Sequence, residues 1–205
     1  MSGQIVVSRQ EINTLSELLR LDAMVYPKDQ RATFDEVLDR YKINKNLYVV
    51  LCLDTEIIGY LCVLPIRCDL YTNIMNGEDL IDSEISGQHI VPYSSGNSHR
   101  LYLTSAVIHP SHQGKGLSKF LIKGLYGYLL EKKNANILIA SMLATAVSPG
   151  GKKLIEKMKF NEVKRIYHGY AMYELLIDDA VYKLIEDNYH QITDPTGKIG
   201  IKYSF

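Results

Sequence analysis

Apolar positions change period along this chain, and the changes mark its elements. Ile5 to Val7 reads as a short strand. Ile12, Leu15, Leu18, Leu19 and Leu21 to Met24 recur at helical spacing and predict a helix over 11–24, which Tyr26-Pro27 stops. A second helix is predicted over 33–41. Thr33 can cap it, and Phe34, Val37, Leu38 and Tyr41 form one stripe. The runs 47–53 and 57–64 are apolar and β-branched, with Asp54-Thr55-Glu56 between them, and predict a hairpin. Leu101 to Ile108 is the next strand, expected to be central. Leu117, Phe120, Leu121, Leu125, Tyr128 and Leu129 then give a helix with a wide stripe for packing on a sheet. Ile137 to Ser141 reads as a buried strand, 151–158 as a short helix, and 163–167 with 170–177 as a closing pair of strands turning at His168-Gly169.

This order is α+β, with antiparallel strands first and a parallel pair in the middle. Residues 66–98 interrupt it as a long polar insertion. It holds five acids (Asp69, Glu78, Asp79, Asp82 and Glu84) against one base, Arg67. Such a connection either lines a pocket for a cationic amine or is a solvated loop. Beyond residue 177, Ala180, Val181, Leu184 and Ile185 suit one or two more helical turns. The tail could add an edge strand, in this chain or to a second subunit, or could pack loosely.

Length and charge narrow the classes. A chain of 205 residues is long enough for a sizeable core and fits one domain. Twenty-three basic and 23 acidic side chains balance, which argues against nucleic acid as the main partner. No apolar run approaches eighteen residues, and MSGQIVVSRQ lacks the charged start and long apolar stretch of a signal peptide. Cys52, Cys62 and Cys68 have no metal-ligand spacing, so no metal is expected. An odd count of cysteines fits a reducing cytoplasm. Cys52 and Cys62 would not face one another across a hairpin centred near Thr55, and read as small core residues.

The most informative stretch is 108–122, IHPSHQGKGLSKFLI. A strand ends at Pro110, and Gln113-Gly114-Lys115-Gly116 opens a helix. Glycines there leave backbone N–H groups uncovered at a helix start, which is suited to phosphate. A Walker loop fails, because Lys115 is followed by Gly116 and no glycine lies five positions before Gly114. A dinucleotide fingerprint fails as well: position 119 is Lys, and Asn134 to Asn136 stand where a ribose-binding acid is needed.

The pattern that remains is Gln113, Gly116 and Ser118 after a strand and Pro110. It resembles the acetyl-CoA-binding segment of the GNAT superfamily of N-acetyltransferases (Arg or Gln, two residues, Gly, one residue, then Gly or Ala). Ser118 is a small departure. The likeness runs over 1–177, which it implies is the acetyltransferase domain, with 178–205 an extension packed on it or at a homodimer interface. It implies a mixed sheet splayed between two parallel strands, with helices on both faces, and acetyl-CoA as cosubstrate. By the same resemblance, the backbone at Ala106, Val107 and Ile108 meets the pantetheine and acetyl group. The N–H groups of Gln113, Gly114, Lys115, Gly116, Leu117 and Ser118 hold the pyrophosphate. A second family segment corresponds to 148–160, SPGGKKLIEKMKF, where Leu154, Lys157 and Phe160 match. Ser148 replaces an Asn that often reaches the cofactor, Gly151 an Ala, and Lys159 a Gly. Ile155 stands where the family often has the Tyr that protonates the leaving thiolate.

The implied activity is direct acetyl transfer to a primary amine of a small molecule or peptide, without nucleic acid or membrane. His99 is the candidate base, since an imidazole titrates near neutrality. His109 and His112 read as solvated loop residues. Ser148 and a tyrosine of the closing hairpin, Tyr170 or Tyr173, are candidates to serve the thiolate. No cysteine is near the cofactor loop in sequence, which speaks against an acetyl-enzyme. The rival reading is a catalytically weak acyl-CoA-binding module, favoured by Ile155.

Overall fold

The computed structural model describes residues 5–9, 14–78, 84–166, 169–192 and 201–204. Eight strands form one sheet: β1 (Ile5–Arg9), β2 (Tyr48–Leu53), β3 (Glu56–Ile66), β4 (Ser98–Ile108), β5 (Leu138–Ala146), β6 (Asn161–Arg165), β7 (Ala171–Leu176) and β8 (Ile201–Ser204). Their order is β6-β7-β5-β4-β3-β2-β1-β8. β4 and β5 run parallel, as do β1 and β8, and the remaining neighbours are antiparallel. Among the described residues six α-helices accompany them: α1 (Leu15–Val25), α2 (Phe34–Ile43), α3 (Cys68–Asn76), α4 (Ser118–Asn134), α5 (Pro149–Lys157) and α6 (Asp179–Gln191).

The sheet carries a core on each face. Leu15, Leu18 and Leu21 of α1, Val37 of α2 and Ile74 of α3 cover one side. Phe120, Leu125 and Leu129 of α4, Leu154 and Ile155 of α5, and Tyr182 and Ile185 of α6 cover the other. This is the α+β fold expected, with its parallel pair and helices on both sides. α4 lies so close to the sheet that a Cβ at Gly124 would sit 2.4 Å from Val49 Cγ1. Only glycine permits that approach.

Local chemistry explains most boundaries. Thr33 Oγ1 accepts from the Glu36 amide at 3.3 Å, while Glu36 Oε2 accepts from the Thr33 amide at 2.6 Å, a complete capping box that starts α2. α1 ends at Tyr26, whose extended backbone is what a residue before proline prefers. Lys159 takes the left-handed conformation (φ 66°) at the position where the resemblance places a glycine.

Two expectations change. The stretch 66–98 is not a featureless loop. Among its described residues it holds α3, a 3₁₀ turn at Gly87–His89 and a bridge from Ile90 to Ile66. Asp69 pairs with Arg67 at 2.8 Å on the surface, and Asp79 and Asp82 lie outside the described residues. Beyond 177, α6 is a full helix packed against α4, and β8 pairs with β1 of the same chain. The turn residue His168 lies outside the described residues.

Candidate functional site

β4 and β5 pair from Ser98↔Leu138 to Leu103↔Ala144, and no further. Past that point the strands diverge. The cause is visible on the other edge of β4, where Cys62 pairs with Ser105 but Val63 pairs with Leu103, leaving Thr104 as an extra residue. A bulge of this kind bends its strand and increases local twist. It also reverses the alternation of side chains. Leu101 and Leu103 face the α4 core before the bulge, and Ala106 and Ile108 face it after. Tyr102 and Val107 face the α1 core.

The divergence opens a cavity of about 230 Å³ through the sheet. Leu103 to Ala106 form one wall. Ala144, Thr145, Val147 and Ser148 form the opposite wall, with Leu154 and Ile155 of α5 beneath. At one end of β4 the chain turns through His109 and a short 3₁₀ turn into the glycine loop. The side-chain Nε2 of Gln113 donates to the carbonyl of Ile108 at 2.9 Å, fastening loop to strand. Gly114 and Gly116 have φ of 73° and 72°, and a Cβ on either would meet open space. Their role is therefore conformational: a left-handed backbone costs other L-residues about 1–2 kcal/mol. Among the described residues the amides of 114–118 donate to no protein atom. α4 begins at Ser118 with no acidic residue in its first turn, so its positive end is uncompensated. Five open amides at such an end fit a pyrophosphate.

The other side of the cavity is built from side chains. Asp22, on α1, occupies the apolar stripe of Leu15 and Leu18 and is buried. Its carboxylate accepts a short hydrogen bond from the hydroxyl of Tyr60 on β3. Burial pushes its pKa up to about 6, against the Tyr60 hydrogen bond and the charges of Arg31 and Arg40, which pull it down. Tyr60, fully buried beside this acid, titrates well above the ordinary tyrosine range and remains a donor. Arg40 of α2 is buried, with Nε donating to the carbonyl of Ile85. Tyr48 and Cys62, register partners across β2 and β3, complete the wall.

The sequence-based candidates fall into two groups. Ala106, at the wall, and Val107 and Ile108, beyond it on β4, are continuous with the loop from Gln113 to Ser118, and Ser148 faces them across the splay. Ser148 Oγ accepts from the Gly151 amide at 3.0 Å as the cap of α5, which leaves its own proton to donate. Tyr170 lines the cavity as well. His99 and Tyr173 do not join them. His99 stands seven residues before Ala106 on an extended strand, about 23 Å away, where Tyr93 and the backbone of Ser94 enclose its ring. Tyr173 is buried in the α4 core with its hydroxyl unbonded. The place of Cys62 also corrects a reading from sequence distance: it lines the cavity. Burial lifts its thiol to about 11, which keeps it protonated at neutral pH. Asp22 was missed, although an acid at the seventh position after Leu15, on the apolar stripe, was a signal.

Comparison with known proteins agrees with this geometry. No curated protein matches the sequence. The ribosomal-protein-S18-alanine N-acetyltransferase of Escherichia coli shares the fold at a TM-score of 0.55 and 14% identity, covering 85% of this chain and 95% of its own. The protein yncA from Salmonella typhimurium, solved with its cofactor acetyl-CoA, superposes at 0.56 with 15% identity over 85% of this chain and 95% of its own. Arabidopsis thaliana Naa50, solved with the bisubstrate analogue CoA-Ac-MVNAL, does so at 0.57 with 10% identity over 85% and 99%. The family model described as the acetyltransferase (GNAT) family matches residues 13–160, spanning both strands of the splay and the glycine loop, and the chain belongs to that family.

Proposed function

We propose that the protein moves acetyl from acetyl-CoA directly to a primary amine of a small molecule or a peptide. The observation that carries this reading is the end of β4–β5 pairing at Leu103↔Ala144, which leads without a break to the open amides of 114–118. A pantetheine arm can pair with the freed edge of β4 while the loop takes the pyrophosphate. Residues 1–177 make up the transferase unit, and α6 and β8 of the extension pack on it. Ser148 and Tyr170 offer hydroxyls to the departing sulfur. A thiol of ordinary acidity leaves readily near neutral pH, so Ile155 does not prevent turnover. With its thiol protonated, Cys62 leaves direct transfer as the available route.

A second reading is a binding module without turnover. It is favoured by Ile155, buried in the cavity wall where a proton donor would serve catalysis. Calorimetry with CoA, combined with thiol release across a panel of amines, separates the two. Transfer predicts CoA binding and amine-dependent thiol release. CoA binding with no release on any amine supports the module. Absence of CoA binding overturns both.

A further inference from the structure

We propose that Asp22 receives the acceptor as a primary ammonium ion and takes its proton, with Tyr60 holding the carboxylate in place. This rests on the acetyl-transfer reading and names the group that recognises the other substrate. Tyr60 pairs with Val107, and Cys62 pairs with Ser105, so both lie one strand from the freed part of β4. Tyr60 and Cys62 face the α1 side. The Tyr60 hydroxyl reaches Asp22 on that side, within the same cavity that the splay opens. A carboxylate thus stands at the acceptor's side of the sheet, opposite the wall formed by β5 and α5.

A buried acid needs a reason, because desolvation disfavours its charge. Among the described residues the Asp22 side chain accepts one hydrogen bond, from Tyr60, although a carboxylate can accept about four. It has room for an N–H donor from the cavity. The titratable groups facing it are Tyr60 and Cys62 from β3, Tyr48 from β2, Tyr26 after α1, Arg31, and Arg40 from α2. Burial raises the pKa of Tyr48, Tyr60 and the Cys62 thiol, so these stay neutral near pH 7, while the charges of Arg31 and Arg40 pull the Asp22 pKa down against its burial. The rest of the lining on this side mixes apolar Ala32, Val37 and the tyrosine rings with the polar side chains of Asp29 and Gln30, and Asp29 is a second acid that an ammonium would meet on entering. About 230 Å³ must also admit the acetyl-bearing arm. Only the amine end of a slender acceptor enters.

The step balances. The ammonium N–H bond breaks and its proton passes to Asp22. The freed nitrogen lone pair forms the bond to the thioester carbon, and the carbon–sulfur bond breaks with its electron pair on sulfur. The nitrogen then loses its second proton, the sulfur gains one, and Asp22 returns its proton to water. The products are an N-acetyl amine, CoA thiol and one proton. Two sources supply the same ammonium chemistry: a free alkylamine and the N-terminus of a peptide with small residues.

The test uses the full chain with n-butylamine and with Ala-Val-Leu-Ala amide as probes. Asp22→Asn keeps an acceptor for Tyr60 and removes the charge. It should lower kcat/KM about 100-fold, the low end for loss of a general base, and abolish amine binding by calorimetry in the absence of CoA, while CoA affinity stays unchanged. Tyr60→Phe removes a bond that holds the Asp22 pKa down, so the acid limb of the kcat/KM profile should move from about 6 to higher pH. A purely structural role would alter stability without moving that limb. A turnover preference for one probe identifies the source. If Asp22→Asn transfers acetyl and binds amine like the parent, the assignment of Asp22 is overturned although the transferase reading stands; loss of CoA binding in the parent chain would overturn that reading instead.

Discussion

The two sides of the cavity present different kinds of group. The β4 edge and the glycine loop offer main-chain groups: freed strand backbone at 104–108 and open amides at 114–118. The α1–α2 side offers side chains gathered from distant elements: Asp22 from α1, Arg40 from α2, Tyr48 from β2, and Tyr60 and Cys62 from β3. Backbone recognition needs a conformation, which a few residues in a row can encode. Side-chain recognition needs a tertiary fold to bring separate residues together. The first side therefore suits a cofactor shared across a family, and the second can be changed residue by residue to suit an acceptor.

The sharpest way to separate the sides is to damage one alone. Gly116→Asp forces a side chain onto a φ of 72° and sets a carboxylate beside the pyrophosphate. Strain of about 1–2 kcal/mol and like-charge repulsion together predict at least about a 100-fold loss of CoA affinity by calorimetry. Gly77→Asp is the control. Gly77 has φ 103° at the end of α3, outside the cavity, so its variant carries strain and leaves CoA affinity unchanged. Equal losses in both variants would show that the loop matters only for folding.

Legibility in the sequence follows the same division. The 108–122 stretch disclosed the loop because Gln113, Gly114 and Gly116 are neighbours in the chain and each acts on its own backbone or the next strand. The order of elements was legible for a similar reason, since each helix and strand declares itself by local period. The splay was expected only through family resemblance, because its local cause, one extra residue at Thr104 against Cys62 and Val63, is a fact of pairing. His99 looked attractive for its intrinsic acidity and proved to stand at the wrong end of its strand. Asp22 was hidden by distance along the chain: 38 residues of sequence separate it from its partner Tyr60, and the bond between them exists only after α1 packs on β3.

Asp22 also gives the acceptor side a signature in stability. Its folded-state pKa, about 6, lies above the 3.8 of an exposed carboxylate. Below about pH 4 the acid is protonated in both states and costs nothing. As pH rises through 6 the folded state must ionise a buried group, and stability falls by up to about 3 kcal/mol at 1.36 kcal/mol per unit. Denaturant melts of the parent between pH 4 and 7 should show this loss, and Asp22→Asn should flatten it. An identical slope in the two proteins would mean that Asp22 is ordinarily solvated.

A smaller effect tests whether the acceptor wall depends on the placement of α2. Thr33→Ala removes one half of the capping box and should cost about 1 kcal/mol of stability. α2 carries Val37 and Arg40 into the cavity, so the amine KM should rise several-fold. CoA affinity, resting on β4 and the loop, should not change. A parallel fall in CoA affinity would show that the two sides are coupled through the sheet.

The smallest effect is expected at Cys62, and its smallness is informative. The thiol lines the cavity beside the freed strand, a position from which a nucleophile could reach an acetyl group. Burial raises its pKa to about 11, even though a hydrogen bond with Thr104 opposes the shift. At pH 7.5 roughly one thiol in several thousand is ionised. Cys62→Ala removes one buried sulfur, which predicts a modest loss of stability and a change in kcat of less than about threefold. Mass spectrometry of the parent mixed with acetyl-CoA alone should find no acetylated protein. A stable adduct of one acetyl group at Cys62, chased off by amine, would replace direct transfer with a two-step route and would move the reactive centre from the backbone side of the cavity to its side-chain wall.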